Sequence, residues 1–318
     1  MVDRKTRINL MGAPIDLGVS KLGVDMGPTA LRYAGIMDAL LYSGFECRDC
    51  GDLDVRTNFS LDVLPKDERQ DAKRKEIIRA AEQLAAFTHE CCKKGSFPLT
   101  LGGDHSTTIG ALAGVAKAHD SLGVLWIDAH PDSNTPETSP SGNIHGMPLA
   151  ISLGHGYPDL VNCFGFAPKV KPENVCIVGA KDIDPGERAF LKKHGVSMFT
   201  TFDIQNMGMA RVMEQAAEIV GSGTNGVYVS FDTDAIDKDV APGTGIVTKG
   251  GLSYREITFV AQFIGANIKL AGLDLIEVNP LCDVRNITAE LSVELAMSML
   301  GASYSDYEKI YLAANTPE

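Results

Sequence analysis

Asp128-Ala-His130-Pro-Asp132 closes the apolar run Gly123-Val-Leu-Trp-Ile127 and leads into Asn134 and Ser141-Gly-Asn-Ile-His145-Gly. On a strand, residues i, i+2 and i+4 share one face, so as far as Pro131 leaves the backbone extended, two carboxylates and an imidazole converge on one point. Groups held that close repel one another or take up protons unless a cation sits among them, and mixed oxygen and nitrogen donors suit Mn, Fe, Ni or Zn. The plain alternative is a helix cap and a few surface polar residues, since short motifs recur by chance. Two further stretches weigh against it. Phe97-Pro-Leu-Thr-Leu101 runs into Gly102-Gly-Asp-His105-Ser, and Val227-Tyr-Val-Ser-Phe231 runs into Asp232-Thr-Asp234-Ala-Ile-Asp237. Sites in an open parallel sheet form just beyond the carboxyl ends of its strands, so three segments would deliver ligands to one crevice. His105, Asp128, His130, Asp132, Asp232 and Asp234 bring four carboxylates and two neutral imidazoles, which two divalent ions bring to zero net charge. A binuclear centre is the economical reading.

The elements that must position these residues follow from periodicity. Short apolar runs predict strands at 8–11, 45–50, 97–101, 123–128, 174–179, 197–202, 227–232 and 268–276, the last running into Glu277-Val-Asn-Pro280. After Pro28, Leu31, Ala34, Met37 and Leu41 recur at helical spacing until Ser43-Gly44. A long helix is predicted over 67–94 with Ile77, Ala81, Leu84, Phe87 and Cys91 inward and its mixed-sign opening, 66–75, as a solvated face. Another runs through Ile109, Leu112, Ala113 and Ala116, and Asp182-Ile-Asp184-Pro-Gly-Glu187 opens one more. Asp16 and Asp25 lie in a glycine-punctuated loop and are read as structural. Alternating strands and helices imply a parallel sheet, but the pattern does not separate an open sheet from a closed eight-fold barrel.

With 318 residues and 44% hydrophobic content the chain can bury a large core, and no linker interrupts it, so one domain spanning 1–318 is expected. Twenty-nine basic residues face 41 acidic ones, a net charge of −12 with no basic cluster, which disfavours nucleic acid and anionic lipid as partners. The basic N-terminal segment is followed by Asn9, Pro14 and Asp16, which interrupt any signal-peptide core, and no apolar run approaches the ~20 residues of a membrane span. A cytoplasmic protein is expected. The seven cysteines include Cys47-x-x-Cys50 and Cys91-Cys92, but no second C-x-x-C completes a structural zinc set, so they read as reduced thiols.

GGDHS at 102–106, DAHPDSNTPETSPSGNIHG at 128–146, SFDTDAID at 230–237 and EVNP at 277–280 resemble the ureohydrolases, and SGNIHG is closest to their arginase branch. The resemblance runs from Ile8 to about Leu300, with the motifs in the family's order and at its spacing. It implies a three-layer open parallel eight-stranded sheet with helices on both faces. It implies hydrolysis of a guanidinium group, L-arginine giving L-ornithine and urea, by a hydroxide bridging two divalent ions, with Mn as the expected metal. One ion would take His105, Asp128, Asp132 and Asp232; the other would take Asp128, His130, Asp232 and Asp234. Asp132 would also orient the hydroxide and relay its proton, Glu277 would clamp the guanidinium, and His145 would shuttle protons. Asn134, Ser139 and Ser141 match positions that bind the α-carboxylate, and Asp184 and Glu187 match those facing the α-ammonium, which favours arginine over agmatine. Family members form homotrimers or homohexamers, and Arg255-Glu256 matches a pair at their contacts.

Two departures stand out. Pro131 replaces the family's Thr or Gly, and Ile246 stands where a Thr hydroxyl is expected beside the guanidinium clamp. A ureohydrolase acting on agmatine or guanidinobutyrate is therefore the nearest alternative, and a non-catalytic metal-binding relative a more distant one. His89, His119, His155 and His194 lie in no such context.

Overall fold

The computed structural model describes residues 2–302. Its strands are β1 (Ile8–Ala13), β2 (Cys47–Asp52), β3 (Phe97–Gly102), β4 (Leu122–Ile127), β5 (Val175–Ala180), β6 (Ser197–Thr200), β7 (Gly226–Asp232) and β8 (Leu270–Ile276). They pair in parallel throughout, in the order β2-β1-β3-β8-β7-β4-β5-β6. β2 and β6 are the two edges, so the sheet is open and not a barrel, as the resemblance implied. The chain builds β1 to β3 on one side, leaves a gap, builds β4 to β6 on the other, and fills the gap last with β7 and β8. The four strands whose ends carry the candidate chemistry, β3, β8, β7 and β4, are therefore neighbours at the centre, where an open sheet of this class forms its crevice.

Alternation along the strands feeds two cores. On β4, Leu125 and Ile127 face one side while Val124 and Trp126 face the other. The first side is covered by α1 (Gly27–Tyr33), α2 (Ile36–Tyr42), α9 (Thr201–Met207), α10 (Met209–Gly221), α11 (Tyr254–Asn267) and α12 (Ile287–Met299). The second is covered by α3 (Asn58–Leu61), α4 (Lys66–Lys93), α5 (Thr107–Lys117), α6 (Pro148–Ser152), α7 (Pro158–Val161) and α8 (Pro185–His194). No helix among the described residues is long and apolar enough to cross a membrane. All seven cysteines are free thiols.

Three local expectations are corrected. The helix after Pro28 is two helices, broken at Ala34-Gly35, and the break rotates the second one so that Ile36 and Leu40 are buried while Leu41 is exposed. The strand expected over 197–202 stops at Thr200, because Thr200 caps α9 reciprocally with Asp203. β4 ends at Ile127, so Asp128, His130 and Asp132 do not converge by strand alternation. They lie on a bend, and Asp132 adopts a left-handed backbone with φ 49°.

α5 is buried from Thr107 to Ala116 and lies directly against α4. Gly110 and Gly114, one turn apart, permit the approach: a Cβ at Gly110 would lie 2.4 Å from the Ala81 carbonyl oxygen, and one at Gly114 2.0 Å from that of Ala85. Alanine raises helix propensity by ~1 kcal/mol, but overpacking against backbone costs ~1–3 kcal/mol. Gly114→Ala should therefore lower the urea midpoint of unfolding despite its better propensity; an unchanged or higher midpoint would mean that α4 and α5 part without loss.

Candidate metal centre and substrate pocket

The bend after β4, the turn after β3 and the end of β7 bring all six sequence-predicted ligands together. His105 Nδ1 lies 2.8 Å from Asp132 Oδ2, 3.0 Å from Asp232 Oδ2 and 3.1 Å from Asp128 Oδ2. His130 Nδ1 lies 3.1 Å from Asp234 Oδ2 and 3.4 Å from Asp128 Oδ1. Asp128 thus joins two groups suited to a metal, one oxygen to each. Asp232 gives one oxygen to the His105 group, while its other accepts from Asp234 N–H. His105 Nδ1 is fully buried, yet none of its three carboxylate neighbours meets it in hydrogen-bonding alignment. Each of the three oxygens lies about 3 Å from the ring nitrogen, the spacing that adjacent ligands have around an ion with bonds of ~2.1 Å. The residues fit a pair of divalent ions.

Sequence reading missed the groups that hold these ligands. His105 Nε2 is 2.9 Å from Ser230 Oγ, and Ser230 donates its proton to Asp274 Oδ1 at 2.8 Å. Ser230 can then only accept from His105 Nε2–H, which turns Nδ1 toward the carboxylates. Asp274 also accepts from Thr108, Tyr228 and Phe231 N–H. Trp126 stacks on the His105 ring, centroids 4.3 Å apart, and donates to Asp128 Oδ2 at 3.0 Å. A charge inside the apolar run Leu273-Asp274-Leu275 was the available signal.

The cluster is electrostatically strained. Burial, with repulsion from Asp234 and Asp128, pushes Asp232 well above the carboxylate range, and burial with Asp128 raises Asp132. Burial pushes Asp234 up to about 7 in spite of His130. Asp128 is burdened by burial too, but the His105 and His130 rings beside it hold it below the usual range. Burial alone would lower both imidazoles; Asp132 chiefly for His105, and Asp234 for His130, outweigh it and favour the protonated rings. Divalent ions would displace those protons and restore the carboxylates.

A cavity of 530 Å³ opens above the cluster, lined by Asp132, His130, Asp232 and Asp234 on its floor and by Asn134, Ser139, Ser141, Asp184 and Glu187 on its walls. Asn134 Nδ2 donates to Asp184 Oδ2 at 2.9 Å, so groups matched to opposite poles of a substrate are paired with each other. Glu187 is buried, accepts from Ser133 N and Asp184 N at 3.0 Å each, and is pushed up to about 7 by burial and Asp132. Ile246 lines the cavity, 42% exposed, with its carbonyl accepting from Thr244. Pro131 is buried in the bend and leaves the ligands in place.

Glu277 lies just behind this cavity at a backbone φ of 61°, a strained conformation for a residue with a Cβ and one that recurs at functional sites. Its Oε1 accepts from His105 N–H at 3.0 Å and meets His145 Nδ1 at 3.1 Å, while its Oε2 is buried without a partner. Burial would lower His145, but Glu277, with Asp132 and Asp104, raises it to about 9. A group raised in the folded state stabilises the fold fully below its ordinary pKa of ~6.5 and loses that contribution as pH rises through about 9. The His145 ring resonances should accordingly titrate near pH 9 and move back toward ~6.5 in Glu277→Gln; a ring that titrates alike in both proteins would refute the coupling.

Comparison with known proteins accords with this geometry. The family model described as the arginase family matches residues 6–301. The arginase of Brevibacillus brevis is 45% identical over 297 residues, covering 92% of this chain and 97% of that protein. That of Bacillus caldovelox is 43% identical over 294 residues, with 92% and 98% covered. The crystal structure of arginase from Bacillus subtilis superposes with a TM-score of 0.86 at 43% identity, covering 94% of this chain and all of that one. Agreement this extensive, reaching from the first strand through α12 and over the same sheet, leaves a single assignment: the chain belongs to the arginase family.

Proposed function

We propose that the chain hydrolyses the guanidinium group of L-arginine, releasing L-ornithine and urea. The observation that carries this is the pair of His–carboxylate groups sharing Asp128 beneath a cavity, with a buried, unpartnered Glu277 oxygen beside them. His105, Asp128, Asp132 and Asp232 would hold one divalent ion, and His130, Asp234 and the shared carboxylates Asp128 and Asp232 the second, manganese being our reading. Bound there, the ions supply the Lewis acidity that makes water nucleophilic at neutral pH.

The chain's own residues do the rest. Glu277 pairs with the planar guanidinium through two parallel hydrogen bonds, one to the free Oε2 and one to Oε1 in place of His145. Asp132 accepts the proton of the attacking water and returns it to the amine as the C–N bond breaks. His145, at the cavity wall and released from Glu277, carries protons between this site and solvent. Asn134, Ser139 and Ser141 donate to the α-carboxylate, and Asp184 and Glu187 face the α-ammonium, so binding exchanges the Asn134–Asp184 bond for bonds to the two poles. Agmatine has no carboxylate to collect the first set. We read the protein as a cytoplasmic homotrimer or homohexamer; Arg255 and Glu256 open α11, where Glu256 also accepts from Ser253 N–H.

Urea release from L-arginine, agmatine and guanidinobutyrate, after loading with Mn, Co, Ni or Fe in turn, tests the reading; a protein that binds metal and releases no urea would exclude it. Elemental analysis should find about two ions per chain, since the candidate ligands form two groups that share Asp128. Glu277→Gln should keep that metal content and lose roughly ten- to hundredfold in turnover, the worth of a charge-assisted hydrogen bond. Ile246→Thr should raise kcat/KM for arginine by about two- to tenfold through one added neutral hydrogen bond. A fall in arginine turnover, with a gain on another guanidine alone, would instead mark Ile246 as fitted to that other substrate.

A further inference from the structure

Asp104 is fully buried beside His105 but belongs to neither ligand group, and nothing in the proposed chemistry uses it. Its Oδ2 accepts from Gly18 N–H at 2.7 Å, and its Oδ1 accepts from Ser106 N–H at 2.9 Å and from the Ser106 hydroxyl. On its other side, Gly18 accepts at its carbonyl from His145 N–H at 3.2 Å. The carboxylate itself is anchored to the sheet. Gly103 N donates to Ala13 O and Asp104 N to Ile15 O, at 2.8 and 2.7 Å, carrying the β1–β3 ladder past the strand ends.

We propose that Asp104 is a positioning residue for His145, acting through the backbone of Gly18. A continuous path of hydrogen bonds runs from the sheet through Asp104 and Gly18 to the His145 main chain. Gly18 leaves little room for a side chain in this path: a Cβ would lie 3.0 Å from His145 N and 3.1 and 3.2 Å from the Asp104 oxygens, so these groups would have to give way by a few tenths of an ångström. The path matters because the restraint on the His145 ring is temporary, while its backbone is held by this path and by the Asn134 N–H bond to the Gly146 carbonyl at 3.0 Å. Its ring is held by Glu277 Oε1, the oxygen that the guanidinium takes over when substrate binds. From then on the backbone tie keeps the imidazole at the cavity wall. Asn143 and Ser20 also join these loops, Asn143 Nδ2 donating to Ser20 Oγ at 2.9 Å and Ser20 Oγ to Asn143 Oδ1 at 3.3 Å, but these bonds are exposed to water and restrain little.

The inference rests on His145 carrying protons, and the test separates the two. In metal-loaded enzyme, Asp104→Asn leaves one carbonyl oxygen to serve the donors on two sides, and Gly18→Ala pushes on the same bonds from the opposite end. Each should lower kcat for arginine about tenfold, part of the ~10²–10⁴ that a positioned proton carrier contributes. KM should stay within about twofold, metal content should be unchanged, and amide exchange over 141–147 should quicken. Added to His145→Ala, Asp104→Asn should slow the enzyme no further. If Asp104→Asn loses metal, keeps full kcat, or slows His145→Ala again, the residue acts elsewhere and the inference is overturned. If His145→Ala itself keeps full kcat, the proton-carrying role of His145 falls and this inference with it. Should Asp104→Asn fail to fold, Gly18→Ala and its combination with His145→Ala decide by the same criteria.

Discussion

Four carboxylates buried at one point above a parallel sheet impose the governing constraint on this structure. Each charge removed from water costs several kcal/mol, and their mutual repulsion adds to that. The arrangement is tolerable only where cations or protons compensate it and where every ligand is held so that it cannot swing away into solvent. Much of the surrounding architecture meets that second need. Trp126 stacks on His105 and hydrogen-bonds Asp128, Ser230 fixes the His105 ring, and Asp274, with four donors around it, fixes Ser230. The polar layer that holds the site is thus set into the middle of the sheet itself, in strands that otherwise read as apolar.

The pocket carries the same logic outward. Groups that would meet a zwitterionic, cationic substrate are paired with one another beforehand: Asn134 with Asp184, and His145 with Glu277. A substrate therefore exchanges partners without creating bare charges, which lowers the desolvation cost of binding. The exception is Glu277 Oε2, buried and unpartnered, on a residue with a left-handed backbone. Strain and an unmet acceptor at one residue mark where binding has most to gain.

The parallel sheet and the gathering of the candidate ligands were legible because each strand that ends in chemistry announces itself as a short apolar run followed by Asp, His or Glu. Their convergence was legible in outcome but not in manner. Strand alternation was expected to align Asp128, His130 and Asp132, whereas a bend and the left-handed Asp132 do so. The break between α1 and α2 was hidden because Leu31, Ala34, Met37 and Leu41 keep helical spacing across it, and only Gly35 signals the change. Asp274 showed only as a charge inside an apolar run, and Ser230 and Asp104 not at all, because their roles depend on contacts between segments far apart in the chain. An open sheet or a barrel was likewise beyond the pattern and needed either the family resemblance or the strand order.

The strand order has a consequence for how the chain comes to be folded. β7 and β8 are made last yet lie between β3 and β4, so a nascent chain that ends before residue 226 holds two half-sheets with facing, unpaired edges. It then carries His105 on one half and Asp128, His130 and Asp132 on the other, with no strand to join them. Such interior edges are bare templates for pairing with other chains, and closing them requires contacts between segments more than a hundred residues apart in the chain, which is slow. The late arrival of the central strands makes the ribosome-bound and newly released chain the form most open to misassembly.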